Sequence, residues 1–283
     1  MDAVKDISFG SLAGMASKIF EHPFDLTKVR LQSQLISNDG LRFSGPLDCL
    51  TKTYKYEGVS GLYRGLPAPL VGAIAENASL FLAYHQIQRL MGKTEDLGLA
   101  QKAVAACGAG AITSFILTPI ELVKCRMQVS SLANPPGPIT VFLSALRQGG
   151  LLGLWTGHTG TFIRETGGAG VWFGTKEAVA AYLLERRGAQ KLTTADSAIS
   201  GACAGGAFNL AFFPADTVKS AIQTAEGTSH SFLTTLKHIL RTNGIKGLYA
   251  GCGITILRSM PSSAGIFVIW DGLWKLFPST HQH

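Results

Sequence analysis

The sequence predicts an all-α membrane protein whose six transmembrane helices form three tandem repeats. Three observations lead to this prediction. Charged residues make up only 15% of the 283 residues, against about 25% in soluble domains, and mean hydropathy is +0.23. One short motif recurs three times at a nearly constant interval. Two apolar segments, each long enough for a transmembrane helix, occur in every interval.

The recurring motif is Pro-x-acid-x-x-Lys, beginning at Pro23, Pro119 and Pro214, which are 96 and 95 residues apart. A glutamine follows nine residues after each proline. A second motif, Gly-Leu-aromatic-x-Gly, occurs once per copy, at residues 61–65, 153–157 and 247–251. Self-similarity at a fixed interval indicates a repeat architecture. The predicted repeats are 1–95, 96–190 and 191–283, within one membrane domain.

Each repeat contributes two predicted transmembrane helices. The first includes the proline motif, at about 8–33, 102–129 and 196–223. The second follows the aromatic–glycine motif, at about 68–90, 160–184 and 253–276. These segments are too long for the 9–11-residue strands of a membrane barrel and lack strict alternation. Six spans place both chain ends on one side, and a short polar helix is predicted between the two spans of each repeat.

Several function classes are excluded by what the chain lacks. The five cysteines are dispersed without a CxxC pair, and there is no HExxH, phosphate-binding glycine motif or GxSxG. The sequence therefore predicts no catalytic residue, no metal site and no cofactor. The net charge of +7 comes from dispersed Lys and Arg, which is not the clustered pattern of a nucleic-acid-binding surface. Residues 1–14 contain no presequence pattern, so the insertion signal is expected to be internal.

With these motifs the chain resembles the mitochondrial carrier family over essentially its whole length. The tripled proline motif, its glutamines and the Glu57-Gly58 pair before the second motif carry the resemblance. In the later repeats, Gly149-Gly150 and Asn243-Gly244 replace that acid–glycine pair. The resemblance implies a six-helix bundle with three-fold pseudosymmetry around a central cavity. It also implies a mitochondrial inner-membrane location, with both termini toward the intermembrane space.

The proline motif predicts a gate on the matrix side. Proline kinks a helix, and an acid and a lysine three residues apart share one helix face. The resemblance implies three ion pairs between repeats: Asp25–Lys124, Glu121–Lys219 and Asp216–Lys28. It also implies that the motif glutamines brace these pairs by hydrogen bonds: Gln32, Gln128 and Gln223. Because charges inside a membrane are costly and usually functional, we expect a reversible gate rather than static contacts.

The opposite gate is expected to be weak. The resemblance implies an aromatic-acid-x-x-base motif near the end of each second helix. The acid position is occupied by His85, Glu177 and Asp271, and no base occupies its position in any repeat. A complete cytoplasmic ring of ion pairs is therefore not expected.

Charges between the two gates are the candidate substrate-binding residues. Arg164 and Arg258 each lie 13 residues before the acid position of their helix, so they share one depth. Glu165 follows Arg164, and Glu76-Asn77 lies near the same level of the second helix. An anionic substrate would favour several bases and no acid. Two acids with two arginines instead favour a cationic amino acid.

We expect Arg164 to bind the α-carboxylate of such a substrate, Glu165 its α-ammonium and Glu76 its distal ammonium, because arginine pairs with carboxylates directionally. Asn77 would add a neutral hydrogen bond. Arg258 either holds the carboxylate of the counter-substrate or pairs with a cavity acid. The alternative for the four charges is an interhelical ion-pair network.

This set of residues is similar to the ornithine-carrier branch of the family. Lys18 and Glu21, in the first helix, resemble its fungal members and are either cavity residues or a self-neutralising pair. The prediction is exchange of ornithine and related basic amino acids by alternating access, in a protein that functions as a monomer. Cardiolipin is the expected bound lipid, since the net charge favours anionic lipid.

Three alternatives to this function were weighed. The first is a carnitine or acylcarnitine carrier, whose quaternary ammonium substrate needs no second acid at Glu76. The second is a non-transporting adaptor on the same fold, which need not keep three complete proline motifs. The third, a membrane enzyme, lacks a nucleophile–base pair or a metal cluster in this sequence.

Overall fold

The structure is a computed structural model that describes residues 2–36, 43–92, 98–129, 136–188, 192–225 and 231–258. These ranges contain helices and turns but no strand. The helices are α1 (Asp2–Ser33), α2 (Pro46–Leu62), α3 (Pro67–Met91), α4 (Leu99–Val129), α5 (Pro138–Gly153), α6 (His158–Arg187), α7 (Thr194–Thr224) and α8 (Phe232–Leu248). Residues 252–258 are helical again, up to the end of the description.

The helices follow a long–short–long order in the first two repeats, and a long–short order over α7 and α8 of the third. The long helices α1, α4 and α7 contain the prolines of the repeated motif, and the short helices α2, α5 and α8 follow them. Five of the six predicted long segments fall within α1, α3, α4, α6 and α7. The sixth, at 253–276, lies outside the described residues beyond residue 258.

The second motif forms the turn between each short helix and the next long one. Its final glycine has a positive φ in all three copies, namely Gly65 (78°), Gly157 (81°) and Gly251 (84°). Residues with a Cβ rarely adopt this left-handed conformation. A Cβ at Gly157 would also meet the side chain of Gln223 on α7. The backbone turn and this close approach explain why glycine recurs here.

The short helices pack against the far ends of the proline-containing helices. Leu122 of α4 is buried with Ala145 and Leu154. In the third repeat, a larger buried cluster joins α7 to α8 through Val218, Ala221, Ile222, Ile239 and Leu248. Among the long helices, α6 packs most extensively with α7, α3 with α4, and α4 with α6, while α1 contacts both α4 and α7. The three proline-containing helices therefore converge.

The segment Gln101–Val129 of α4 is long and apolar enough to cross a membrane by itself, with a mean hydropathy of 1.7 over its best window. Helices α2 and α3 meet the same criterion only when taken together, and they are bent by 62° with respect to each other. The other long helices in the described part of the chain do not meet it. Six spans therefore stay a prediction.

Candidate functional site

Six charged side chains of the proline motif meet where α1, α4 and α7 converge. The structure brings together all three expected pairs: Lys124 Nζ with Asp25 Oδ2 (3.3 Å), Lys219 Nζ with Glu121 Oε2 (2.5 Å), and Lys28 Nζ with Asp216 Oδ2. Each pair joins two different repeats. The three pairs link α1, α4 and α7 to one another, and we call this ring, which is predicted to act as a gate, the proline-motif gate.

The gate is buried but not sealed from water. Its six side chains are between 3% and 24% exposed. Removing ions from water is costly, and their mutual attraction offsets that cost only when the geometry is good. A partly wetted pair therefore contributes a modest net free energy. Such pairs can be opened by a competing ligand.

The motif glutamines do not form the hydrogen bonds that the sequence led us to expect. Gln32 Nε2 donates to Thr217 Oγ1 at 3.0 Å, and Gln223 Nε2 donates to the Thr156 carbonyl at 3.4 Å. The buried amide of Gln128 has no partner among the described residues. The reason is position: Gln32 lies one turn beyond Lys28 and faces the neighbouring helix rather than the charged atoms.

Arg164, expected to lie clear of the gate, in fact contacts its acids. Its Nη2 atom is 3.3 Å from Glu121 Oε1, and its Nε is 3.8 Å from Asp216 Oδ1. It also pairs with the adjacent Glu165. The spacing along the chain indicated the level of the Arg164 backbone in the bundle but not the position of its guanidinium, because an arginine side chain extends several ångströms along the bundle axis. One guanidinium therefore links the candidate substrate acid to two gate acids.

Arg258 forms a second cluster on α1. Its Nη1 is 2.8 Å from Glu21 Oε2, and its Nη2 is 3.1 Å from Asp25 Oδ1. Lys18 Nζ lies 3.1 Å from the same oxygen of Glu21. Pairing with cavity acids is the second of the two roles considered for Arg258. It brings Lys18 and Glu21 into the same network as the gate.

Glu76 faces a pocket between α1, α3 and α4. Gate and cavity residues share its lining, including Lys18, Asp25, Glu76, Glu121 and Lys124. The side chain of Asn77 lies outside the described part of the structure. The acid expected to bind a distal ammonium therefore borders on the gate and on the α1 cluster. Of the expected substrate residues, the structure places Glu76, Arg164, Glu165 and Arg258 around this one region.

Gly110 positions the Arg164–Glu165 pair, a role that the sequence did not reveal. A Cβ on Gly110 of α4 would overlap the backbone of Glu165 and Thr166 on α6. Its small-residue spacing with Ala106 indicated close helix packing but not which partner was approached. The structure shows that the backbone carrying the candidate substrate pair is the partner.

A second ionic network lies beyond the gate and was also missed. Arg30 donates to the Glu57 carboxylate of α2 through both Nη1 and Nη2. Arg64 Nη1 lies 3.5 Å from Oε2 of the same carboxylate. Arg30 also donates to Thr53 at 2.9 Å and, through Nε, to the Gln128 carbonyl at 3.1 Å. The available signal was an arginine seven residues after the first two motif prolines.

At the opposite end of the bundle, the described residues form no comparable ring. His85 and Glu177 are exposed, and His85 packs against Phe81 with ring centroids 4.3 Å apart. Within the ranges that the structure covers, neither residue forms an ion pair. Asp271 lies outside those ranges. The weakness of this gate therefore stays a prediction.

Comparison with known proteins gives a consistent result. Residues 1–95, 95–187 and 190–281 each match the family described as "Mitochondrial carrier protein". The chain is 41% identical to "Mitochondrial ornithine transporter 1" of Saccharomyces cerevisiae, over 97% of this chain and 96% of that protein. Two Arabidopsis thaliana relatives are a mitochondrial carnitine/acylcarnitine carrier-like protein (34%, over 95% and 97%) and a mitochondrial arginine transporter (32%, over 96% and 93%).

Proposed function

The chain belongs to the mitochondrial carrier family, and on this premise we propose that it exchanges ornithine and related basic amino acids across the mitochondrial inner membrane. The relatives named for ornithine and arginine transport support this substrate class. The family and these relatives are transporters rather than enzymes. The protein therefore moves its substrate without covalent chemistry.

The observation that carries the proposal is the contact of one arginine with three carboxylates. Arg164 pairs with Glu165, Glu121 and Asp216, and Glu76 lines the adjacent pocket. A substrate carboxylate that binds Arg164 competes with all three acids. Glu165 then becomes available to the α-ammonium, while Glu76 is placed for a distal ammonium. A basic amino acid supplies all three groups.

The same contacts couple binding to the gate. When the substrate carboxylate takes Arg164, Glu121 and Asp216 each lose one cation and keep only their lysine partners. A ligand shifts a conformational equilibrium by its differential affinity for the two states. Substrate binding therefore weakens the closed proline-motif gate, as alternating access requires.

The membrane arrangement is part of this proposal. Six transmembrane helices surround the cavity, and the proline-motif gate faces the matrix. Both termini face the intermembrane space, and the carrier works as a monomer. No cofactor is required. The net positive charge favours cardiolipin at the matrix-side helix ends.

Exchange in proteoliposomes tests the substrate class. Vesicles are preloaded with ornithine, lysine, arginine, carnitine or ADP, and uptake of labelled ornithine is measured. We expect uptake with the three basic amino acids inside and none with ADP. Labelled carnitine that exchanges while labelled ornithine does not would overturn the proposal.

Glu76→Gln tests the distal contact. Loss of the carboxylate weakens binding of substrates with a second ammonium, so KM for ornithine rises while that for a substrate without a distal cation changes little. Glu185→Gln, an exposed acid near the end of α6, is the matched control and leaves both values unchanged.

A carnitine carrier remains the second candidate because one relative carries that name and the Arg164–Glu165 pair also suits carnitine. Glu76 in the pocket favours the basic amino acids. A non-transporting adaptor is disfavoured because all three gate pairs are formed, which an adaptor has no need to preserve.

A further inference from the structure

Each motif proline leaves a backbone carbonyl without its helical donor. An α-helical N–H bonds to the carbonyl four residues earlier, and proline has no N–H. For Pro119 the freed carbonyl belongs to Phe115, and for Pro214 it belongs to Leu210. Within lipid, an unsatisfied carbonyl costs several kcal/mol. Side chains that re-satisfy such groups are one means by which prolines are tolerated in transmembrane helices.

The structure shows a donor at both of these carbonyls. The indole Nε1 of Trp155 donates to the Phe115 carbonyl at 3.1 Å, and the hydroxyl of Tyr249 donates to the Leu210 carbonyl at 3.2 Å. The side chains of Phe115 and Leu210 are about half exposed, at 54% and 50%. The capped carbonyls therefore lie on the outer face of the bundle, where lipid offers no donor.

Both donors are the aromatic residue of the second motif, in the same repeat as the proline. The two motifs are thus physically joined across about 40 residues of sequence, next to the proline of the helix that carries the gate charges.

We propose that Trp155 and Tyr249 are positioning residues, which fix the proline kinks of α4 and α7 in the closed-gate conformation by capping the freed carbonyls. The inference goes beyond the proposed function, since it holds whichever substrate the carrier moves. A kink whose carbonyl is capped has one preferred geometry. Without the cap, the free-energy difference between the closed-gate bend and other bend angles is smaller, so the gate opens more often.

The first repeat supplies a natural contrast. Tyr63 occupies the same motif position, but its ring stacks on His22, with centroids 6.0 Å apart. The part of the chain that the structure describes shows no hydrogen bond from Tyr63 to the Ile19 carbonyl. Here His22 Nε2 lies 2.9 Å from the Arg64 carbonyl, which links the same two segments differently. The Tyr63 hydroxyl can therefore be removed without loss of a cap.

Thiol labelling of the protein's own cysteines tests the proposal. Cys125 directly follows the gate lysine Lys124 and is buried, at 4% exposure. The carrier in liposomes is treated with N-ethylmaleimide, and the modification of each cysteine is followed by peptide mass spectrometry. Free glutathione added to the same sample reports reagent activity. Cys49 lies buried in α2, and burial raises its pKa to about 11, so it reports global unfolding.

Three variants are compared with the wild type: Tyr249→Phe, Trp155→Phe and, as the control, Tyr63→Phe. A net hydrogen bond of typical strength predicts that Cys125 labels about five-fold faster in each of the first two. Labelling of Cys49 and of the added glutathione stays unchanged, and the control behaves as the wild type throughout. If Trp155→Phe fails to fold, Tyr249→Phe, which removes a single oxygen atom, still decides the question.

Three results would overturn the inference. The first is wild-type labelling of Cys125 in both cap variants. The second is an equal increase in the Tyr63→Phe control. The third is a lower unfolding temperature in the cap variants without faster labelling of Cys125, because the aromatic residues would then stabilise the fold without setting the gate.

Discussion

The proline-motif gate and the proposed substrate cavity beside it are built in opposite ways. The gate repeats one contact three times, with an acid of one repeat paired to a lysine of another. The cavity has no such repetition, since Glu76, Arg164 and Arg258 have different neighbours. A gate must close around an axis, which favours equivalent contributions. A substrate has no three-fold symmetry, so its site needs different groups from each repeat.

The two regions are nevertheless joined, because two arginines of the cavity contact acids of the gate. Arg164 reaches Glu121 and Asp216, and Arg258 reaches Asp25. All three gate acids therefore contact an arginine of the asymmetric region in addition to their lysine partners. This shared use of the acids makes the comparison testable, because a change in either region has a distinct expected effect.

The largest effect is expected from Arg164→Gln. The variant removes the proposed carboxylate partner of the substrate and leaves Glu165 with an uncompensated charge. Breaking a buried pair by removing one partner costs about 3–5 kcal/mol, so exchange should fall at least about 100-fold. Initial rates in proteoliposomes measure this. Arg186→Gln, an exposed arginine on the same helix, is the control, and an equal loss there would remove the special role of Arg164.

A smaller effect is expected from Lys124→Ala in the gate. The closed state loses one of three equivalent pairs, so we predict an exchange rate about ten-fold lower, with KM little changed and folding largely intact. Lys52→Ala, which removes a surface pair with Asp48 on α2, should change nothing, as exposed pairs contribute little. Normal exchange by the Lys124 variant would mean that the pairs do not gate transport.

Gly110→Ala tests whether the close packing of α4 on α6 holds the Arg164–Glu165 pair in position. The added methyl group overlaps the backbone of Glu165, and overpacking of this kind costs about 1–3 kcal/mol. The unfolding temperature and the affinity for substrate should both fall. Gly201→Ala on α7 meets no atom of the described residues within 4 Å and should lower neither value. Similar losses in the two variants would contradict a specific approach of α4 to α6.

The smallest effect, a change in stability alone, is expected when a motif glutamine is replaced by alanine. Gln32→Ala removes the hydrogen bond to Thr217, which should cost about 1 kcal/mol. Gln128→Ala removes an amide with no partner in the described structure, so its cost should be smaller. Thermal unfolding of the two variants gives the comparison. Equal destabilisation would show that the three glutamines act alike despite their different contacts.

Much of this architecture could be predicted because its sequence motifs occur three times in the chain. The proline spacing indicated three equivalent units, and the acid and lysine positions within one helix turn identified the residues that the structure pairs. The turn glycines were visible for the same reason, since a positive φ restricts the residue type. Repetition turns a weak local signal into a strong one.

The missed features depend on distances between helices that no spacing encodes. Gly110 was one of many small residues until its approach to the Glu165 backbone was known. The reach of Arg164 onto Glu121, and the turn of Gln32 toward Thr217, depend on side-chain direction across an interface. The hydrogen bonds of Trp155 and Tyr249 likewise join residues about 40 positions apart.

The sequence by itself determined the repeat, the helical segments, the gate residues and the charges available to a substrate, because periodicity and residue type act locally along the chain. Only the tertiary structure decided which charges share a partner. Ion pairs and caps form between helices, and their geometry is set by the packing of α1, α4, α6 and α7 against one another. The link between cavity and gate therefore belongs to the fold rather than to any one motif.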